Sequence, residues 1–142
     1  GEVEGNDYVF VNKNVFEILK KNGEFIEWAK VYGNHYGTSE KWIKDQIKTG
    51  NNILLEIDWQ GAQQIKKKFG NSEILITIFL KPPSLGELHK RLKERGKDSD
   101  ETIRNRVSLA ASDIEHSNEF QHVIINQDFY ETVLKIENII FN

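Results

Sequence analysis

Apolar and polar positions change period several times along the chain, and the changes mark the elements. Tyr8-Val9-Phe10-Val11 is short, aromatic and β-branched, and predicts a strand. Asn12 or Asn14 can cap the helix that follows, with Val15, Phe16, Ile18 and Leu19 on its apolar side and Asn22-Gly23 ending it. Phe25 to Tyr32 sets Phe25, Trp28 and Val31 against Glu24, Glu27 and Lys30 and predicts a strand. The next stretch, Asn34-His-Tyr-Gly-Thr-Ser39, crowds hydrogen-bonding groups and reads as a turn. Thr38 or Ser39 can cap a helix through Ile47, with Gly50 after its end.

A different texture begins at Asn52. Ile53-Leu-Leu-Glu-Ile-Asp58 is almost continuously apolar, as expected of a parallel strand buried on both faces, and a helix follows from Trp59 to Phe69. Glu73 to Leu80 predicts a second such strand, ended by Pro82-Pro83. Ser84-Leu-Gly-Glu87 has capping-box spacing and opens a helix to about Glu94, which Gly96 breaks. Asp98 or Ser99 can cap a helix to about Ser117. Val123-Ile-Ile-Asn126 predicts a third buried strand, and Phe129 to Phe141 a final helix. From residue 52 onward this order, β-α-β-α-α-β-α, implies an α/β fold with a parallel sheet and helices on both faces. Ligands in such sheets sit at the carboxyl ends of the strands, where Glu56, Asp58 and Asn126 fall. The first 45 residues, with short mixed strands, look like an inserted subdomain.

Composition narrows the class. The 142 residues are 38% hydrophobic and 29% charged, with a net charge of −3, which gives no support for a nucleic-acid surface. No cysteine is present, so disulfides and thiolate metal sites are excluded. The longest apolar runs fall far short of the roughly 20 residues of a membrane span, and no signal peptide opens the chain. A cytoplasmic protein is expected, and nothing bears on its oligomeric state. There is also no methionine, and the chain opens on Gly1-Glu-Val-Glu-Gly5.

Several side chains could carry chemistry, each with a plainer alternative. Asp58 is either the cap of the next helix or an acid at the sheet's ligand edge. Glu27 either points to water or pairs with donors in a pocket. Arg91 and Arg95 share a helix face, and with Arg104 and Arg106 they make either a solvated basic surface beside Glu87, Glu94 and Glu101 or an arginine lid for phosphates. The four histidines lack metal-ligand spacing, the tryptophans read as core or interface, and no G-x-x-x-x-G-K-[S/T] run or nucleophile–base motif occurs.

Seven blocks in order resemble the guanylate kinase family. They are Gly1-Glu-Val-Glu-Gly-Asn-Asp-Tyr8, Glu24-Phe-Ile-Glu-Trp-Ala29, Tyr32-Gly-Asn-His-Tyr-Gly-Thr38, Leu55-Glu-Ile-Asp-Trp-Gln-Gly-Ala-Gln-Gln64, Pro82-Pro-Ser84, Arg91-Leu-Lys-Glu-Arg-Gly96 and Val123-Ile-Ile-Asn126. The Asp58–Gln64 stretch is closest to the bacterial enzymes. The resemblance implies a P-loop nucleoside monophosphate kinase-like core, an inserted mixed α+β GMP-binding subdomain over 1–45, the rest of the core over 46–142, and a helical lid at about 88–110. It implies ATP + GMP ⇌ ADP + GDP with Mg2+, so the expected partners are GMP and ATP, with no nucleic acid and no membrane. Carried over by position, Tyr8 and Tyr36 would hold the GMP phosphate. Glu27, Thr38 and Asp58 would read guanine, Thr38 donating to O6, while Gly37 would let backbone approach the ligand. Arg91, Arg95 and Arg106 would be the lid arginines, and Asn126 would approach the adenine end of ATP.

Two departures shape what is expected. The family's P-loop and the next GMP-binding segment belong upstream of Gly1, so the chain reads as a fragment, with little or no kinase activity and weakened GMP affinity. Glu56 stands where the family more often has Asp, which leaves any metal role for it open. The alternative function is a non-catalytic guanylate-kinase-like module that binds phosphopeptides; a folded but inert fragment is a third reading.

Overall fold

The computed structural model describes residues 9–31, 33–70 and 72–141. The chain divides into two compact units, Gly1–Ser72 and Glu73–Asn142.

The first unit is built on a hairpin. Helix α1 (Lys13–Lys21) is capped by Asn12, whose side chain accepts the Val15 N–H at 2.9 Å. Strand β1 (Phe25–Val31) then pairs antiparallel with β2 (Asn34–Ser39), and the register sets Glu27 opposite Thr38, Trp28 opposite Gly37 and Ala29 opposite Tyr36. Asn34–Ser39 is thus a strand and not the turn its polarity suggested, because the β1 ladder satisfies its backbone. A register shift between Phe25 and Glu27 makes Ile26 an extra residue. The bulge buries the successive residues Ile26 and Glu27 together with Ala29 and leaves Trp28 outward. That overturns the simple reading of Glu27 on a polar face opposite an inward Trp28.

Three helices pack on the hairpin. On the face carrying Trp28, His35 and Gly37, the α1 side chains Phe16 and Lys20 reach the His35 ring at 5.5 Å and the Trp28 ring at 3.8 Å. Helix α2 (Glu40–Lys48) is capped by Ser39. Helix α3 (Trp59–Phe69), capped by Asp58, lies along the free edge of β1. There Gln64 exchanges two hydrogen bonds with the Trp28 backbone, 3.0 Å from its N–H and 2.6 Å to its C=O, and Lys68 reaches the Phe25 carbonyl at 3.0 Å. A side-chain amide thereby blunts an edge strand. Phe16, Ile26, Ala29, Ile43 and Ile65 form the apolar core.

Two strand expectations in this unit are corrected. Val9 to Val11 forms no strand, and Tyr8 lies outside the described residues. Residues 51–58 form none either, and Leu54 is 82% exposed. An apolar run becomes a buried strand only with neighbours to take its N–H and C=O groups, and no described strand pairs with this one. Trp42, expected in a core or interface, is 51% exposed on α2.

In the second unit β3 (Ile78–Lys81) and β4 (His122–Ile125) pair in parallel, Ile78 opposite His122. The expected strand from Glu73 shrinks to these four residues, since β4 supplies only four partners. Between them run α4 (Leu85–Arg95), capped by Ser84, and α5 (Asp100–Ile114), capped by Ser99. Gly96 turns the chain with φ +69°, a left-handed conformation that glycine adopts without strain. A 3-10 turn at Ser117–Glu119 replaces the expected last turn of α5. Helix α6 (Phe129–Phe141) closes the unit. Leu92, Ile103, Ile124 and Thr132 are buried.

Candidate functional site

The first unit brings Glu27, Thr38 and Asp58 together from three elements. Glu27 and Thr38 face each other across the hairpin, and the Thr38 hydroxyl donates to Glu27 Oε1 at 2.5 Å. Asp58 ends the unpaired segment and caps α3, where its Oδ1 accepts the Gly61 N–H at 3.1 Å and its Oδ2 accepts the Gln60 side-chain amide at 2.7 Å. Glu27 is 3% exposed. Burial holds its carboxyl above the usual range, the Thr38 hydrogen bond pulls it back down, and the nearby negative charge of Asp58 raises it further. Two carboxylates therefore share one neighbourhood, each anchored by donors from the chain. Such a pair is suited to a ligand that presents several N–H donors.

Gly61 occupies the space between them. A Cβ built there would lie 2.6 Å from Glu27 Oε2 and 3.2 Å from Ile57 Cδ1. Neither Gly61, Gln60 nor Gln64 was singled out by sequence reasoning. Beyond their place in the Asp58–Gln64 block, the available signal was the placing of Gly61 three residues after a capping aspartate, where a glycine costs helix stability and needs a reason.

Tyr36 is two residues before Thr38 and half-buried, so the two side chains share one face of β2. Gly37 points the other way, and a Cβ there would meet the Phe25 ring at 2.7 Å. Its missing side chain makes room for Phe25. The Thr38 proton, expected on O6 of a base, is here donated to Glu27.

In the second unit Arg95 and Arg106, from two helices, converge on Asp98, at 2.8 and 3.7 Å. Arg91 is engaged differently. It donates to the backbone carbonyls of Asn126 at 2.7 Å and Gln127 at 3.0 Å, and to Glu87 at 3.2 Å, fastening α4 to the end of β4. Asn126 is a junction as well. Its side-chain oxygen accepts the hydroxyl of the buried Thr132 at 3.0 Å, and its N–H reaches the Lys81 carbonyl at 2.7 Å.

Among the described residues no three His, Cys, Asp or Glu side chains come together to hold an ion, and Glu56 stands exposed. No described helix is long and apolar enough to cross a membrane.

The described elements define an α/β protein whose first unit carries a buried acidic pair suited to hydrogen-bond donors. Comparison with known proteins makes that specific. The guanylate kinase family model matches residues 1–142, and the chain belongs to that family. It is 50% identical over 128 residues to a guanylate kinase of Aromatoleum aromaticum, covering 90% of this chain and 61% of that one. It is 44% identical over 140 residues to a guanylate kinase of Cupriavidus metallidurans, covering 99% and 63%. The crystal structure of guanylate kinase from Anaplasma phagocytophilum superposes with a TM-score of 0.80 at 39% identity, over 99% of this chain and 66% of that one. The chain thus spans under two thirds of the length of these relatives.

Proposed function

We propose that this chain carries the guanine-reading part of an ATP:GMP phosphotransferase, and that the protein it represents transfers the γ-phosphoryl group of ATP to GMP. The observation that supports this most is the buried Glu27, anchored by Thr38 beside Asp58. Guanine offers N1–H and N2–H2 as donors. Adenine has a lone pair at N1 and would leave the acidic pair without partners in a site shielded from water, a mismatch that sites of this type convert into discrimination of roughly 10⁴ or more. Glu27 would accept from N1–H and N2–H2, and Asp58 would accept a further proton. Thr38 would orient Glu27 by the bond already present, and Tyr36, on the same face of β2, would take the phosphate together with Tyr8.

The subdomain limits proposed are 1–45 for GMP binding and 46–142 for the rest of the core, with a lid at about 88–110. In that lid Arg95 and Arg106 form a cationic pair suited to phosphate oxygens, with Asp98 standing in for them before nucleotide arrives. Arg91 and Asn126 would serve mainly by fixing the shape of their own unit. Mg2+ would accompany ATP. No G-x-x-x-x-G-K-[S/T] run lies within the 142 residues, so the chain alone is proposed to bind GMP without turning it over. A phosphopeptide-binding role fits less well, because a peptide binder has no need of a buried acidic pair that accepts from a base.

Calorimetry with GMP and AMP tests the proposal. GMP should bind in clear preference to AMP, and Glu27→Ala should remove the preference. Equal binding of the two nucleotides by the unaltered chain would end this reading.

A further inference from the structure

Gly61 touches both halves of the acidic pair, and by two different means. Its N–H donates to Asp58 Oδ1 at 3.1 Å, so its backbone fixes one carboxylate. Its missing side chain leaves the space that Glu27 Oε2 fills, where a Cβ would intrude at 2.6 Å. Under about 3 Å something must move. The helix cannot, because one turn further on Gln64 holds α3 to the Trp28 backbone by two hydrogen bonds, and Lys68 adds a third to Phe25. Ile57, at 3.2 Å, closes the other side. The group free to yield is the Glu27 carboxylate, and yielding would rotate it away from the Thr38 hydroxyl that orients it.

We infer that Gly61 is a positioning residue for base selection: it sets the separation and orientation of Glu27 and Asp58, and through them the preference for a purine with adjacent N–H donors. The inference rests on the guanine-reading function proposed above. Gly61 itself touches no ligand in this account. A purely structural role predicts something else, since alanine is the better helix former by about 1 kcal/mol and a relaxed Gly61→Ala chain would be as stable as the original and equally selective.

The experiment uses the 142-residue chain with GMP and AMP as probes, by calorimetry, with thermal unfolding as a check on folding. Gly61→Ala should weaken GMP binding about tenfold to a hundredfold, the range expected when a hydrogen bond to a charged group is lost, with AMP binding unchanged. Shortening the displaced acid should restore part of the selectivity, so Gly61→Ala combined with Glu27→Asp should prefer GMP more strongly than Gly61→Ala alone. Gly86→Ala, also within a helix but with its nearest added contact an ordinary 3.8 Å, should leave the preference as it was. Full GMP preference in a folded Gly61→Ala chain, or no gain from the added Glu27→Asp, would overturn the role of Gly61 while leaving the proposed function standing. An unaltered chain with no preference would overturn the function itself, and this inference with it.

Discussion

Replacing Glu27 by glutamine should make the protein more stable at neutral pH and poorer at recognising GMP. The carboxylate is 3% exposed and accepts the Thr38 hydroxyl at 2.5 Å. A glutamine oxygen can keep that bond in neutral form, worth about 1 kcal/mol where a charged one is worth about 1.5–3. Against this modest loss stands the removal of a buried charge, whose desolvation typically costs several kcal/mol, and of its repulsion with Asp58. The balance favours the variant by on the order of 1 kcal/mol, a few degrees in melting temperature for a chain of this size. The pH dependence carries the signature. Burial, opposed by Thr38 and assisted by Asp58, raises the Glu27 carboxyl above 4.5. The folded chain therefore binds this proton more tightly than the unfolded chain does. The resulting stability is complete below about pH 4.5 and lost as pH climbs through the raised value. Glutamine has no such loss, so the advantage of the variant should open above pH 4.5 and close below it. Urea unfolding at several values between pH 4 and 8 measures the gap. For recognition, the glutamine amide sets a donor against a guanine donor, and GMP affinity should fall about tenfold to a hundredfold. A variant less stable than the original throughout, or an advantage that shrinks as pH rises, would refute this account of Glu27.

Two further substitutions probe the same unit. Thr38→Val removes the hydroxyl at nearly constant volume and leaves the buried Glu27 carboxylate without its donor, so it should cost about 1.5–3 kcal/mol at pH 7 by urea unfolding; equal losses at pH 4 and pH 7 would show that packing, not the charge, is responsible. Gln64→Ala removes both hydrogen bonds to the Trp28 backbone, and because water reaches this edge the loss should be about 1–2 kcal/mol, with faster amide exchange at Trp28; unchanged exchange there would mean that α3 does not hold the strand edge.

The helices were largely legible in the sequence because their signals are local. Asn12, Ser39, Ser84 and Ser99 each cap the helix that the pattern assigns to them, and α6 occupies residues 129–141 as read. Strands are a property of pairs, and there the reading failed in both directions. Ile53 to Ile57 has the composition of a buried strand but no described partner, so its Leu54 is exposed, while Asn34 to Ser39 lacks strand composition but has β1 beside it. The acidic pair was legible only through family resemblance. Periodicity placed Glu27 on a polar face, since a bulge that turns two successive residues inward leaves no mark on the pattern. Gly61 and Gln64 went unseen for a related reason: what they do depends on a strand more than thirty residues away.

The two carboxylates also differ in how they are held, and the difference bears on what the site can do. Asp58 receives two donors from within three residues, the Gly61 N–H and the Gln60 amide, at the N-terminus of a helix that favours negative charge. Its place is set by local chain geometry and should survive changes elsewhere in the unit. Glu27 receives its donor from the opposite strand and its confinement from α3, so its position depends on the hairpin register and on the docking of that helix. Perturbations that loosen α3 should therefore move Glu27 first and Asp58 little. A ligand with paired donors reverses the imbalance: by donating hydrogen bonds to both acids it stabilises the buried charge and ties hairpin to helix. It follows that GMP binding should stabilise the α3–β1 edge more than the α3 cap, so that amide protection on adding GMP rises more at Trp28 than at Gly61. Protection rising first at Gly61 would mean that the base is read chiefly by Asp58, with Glu27 a structural acid.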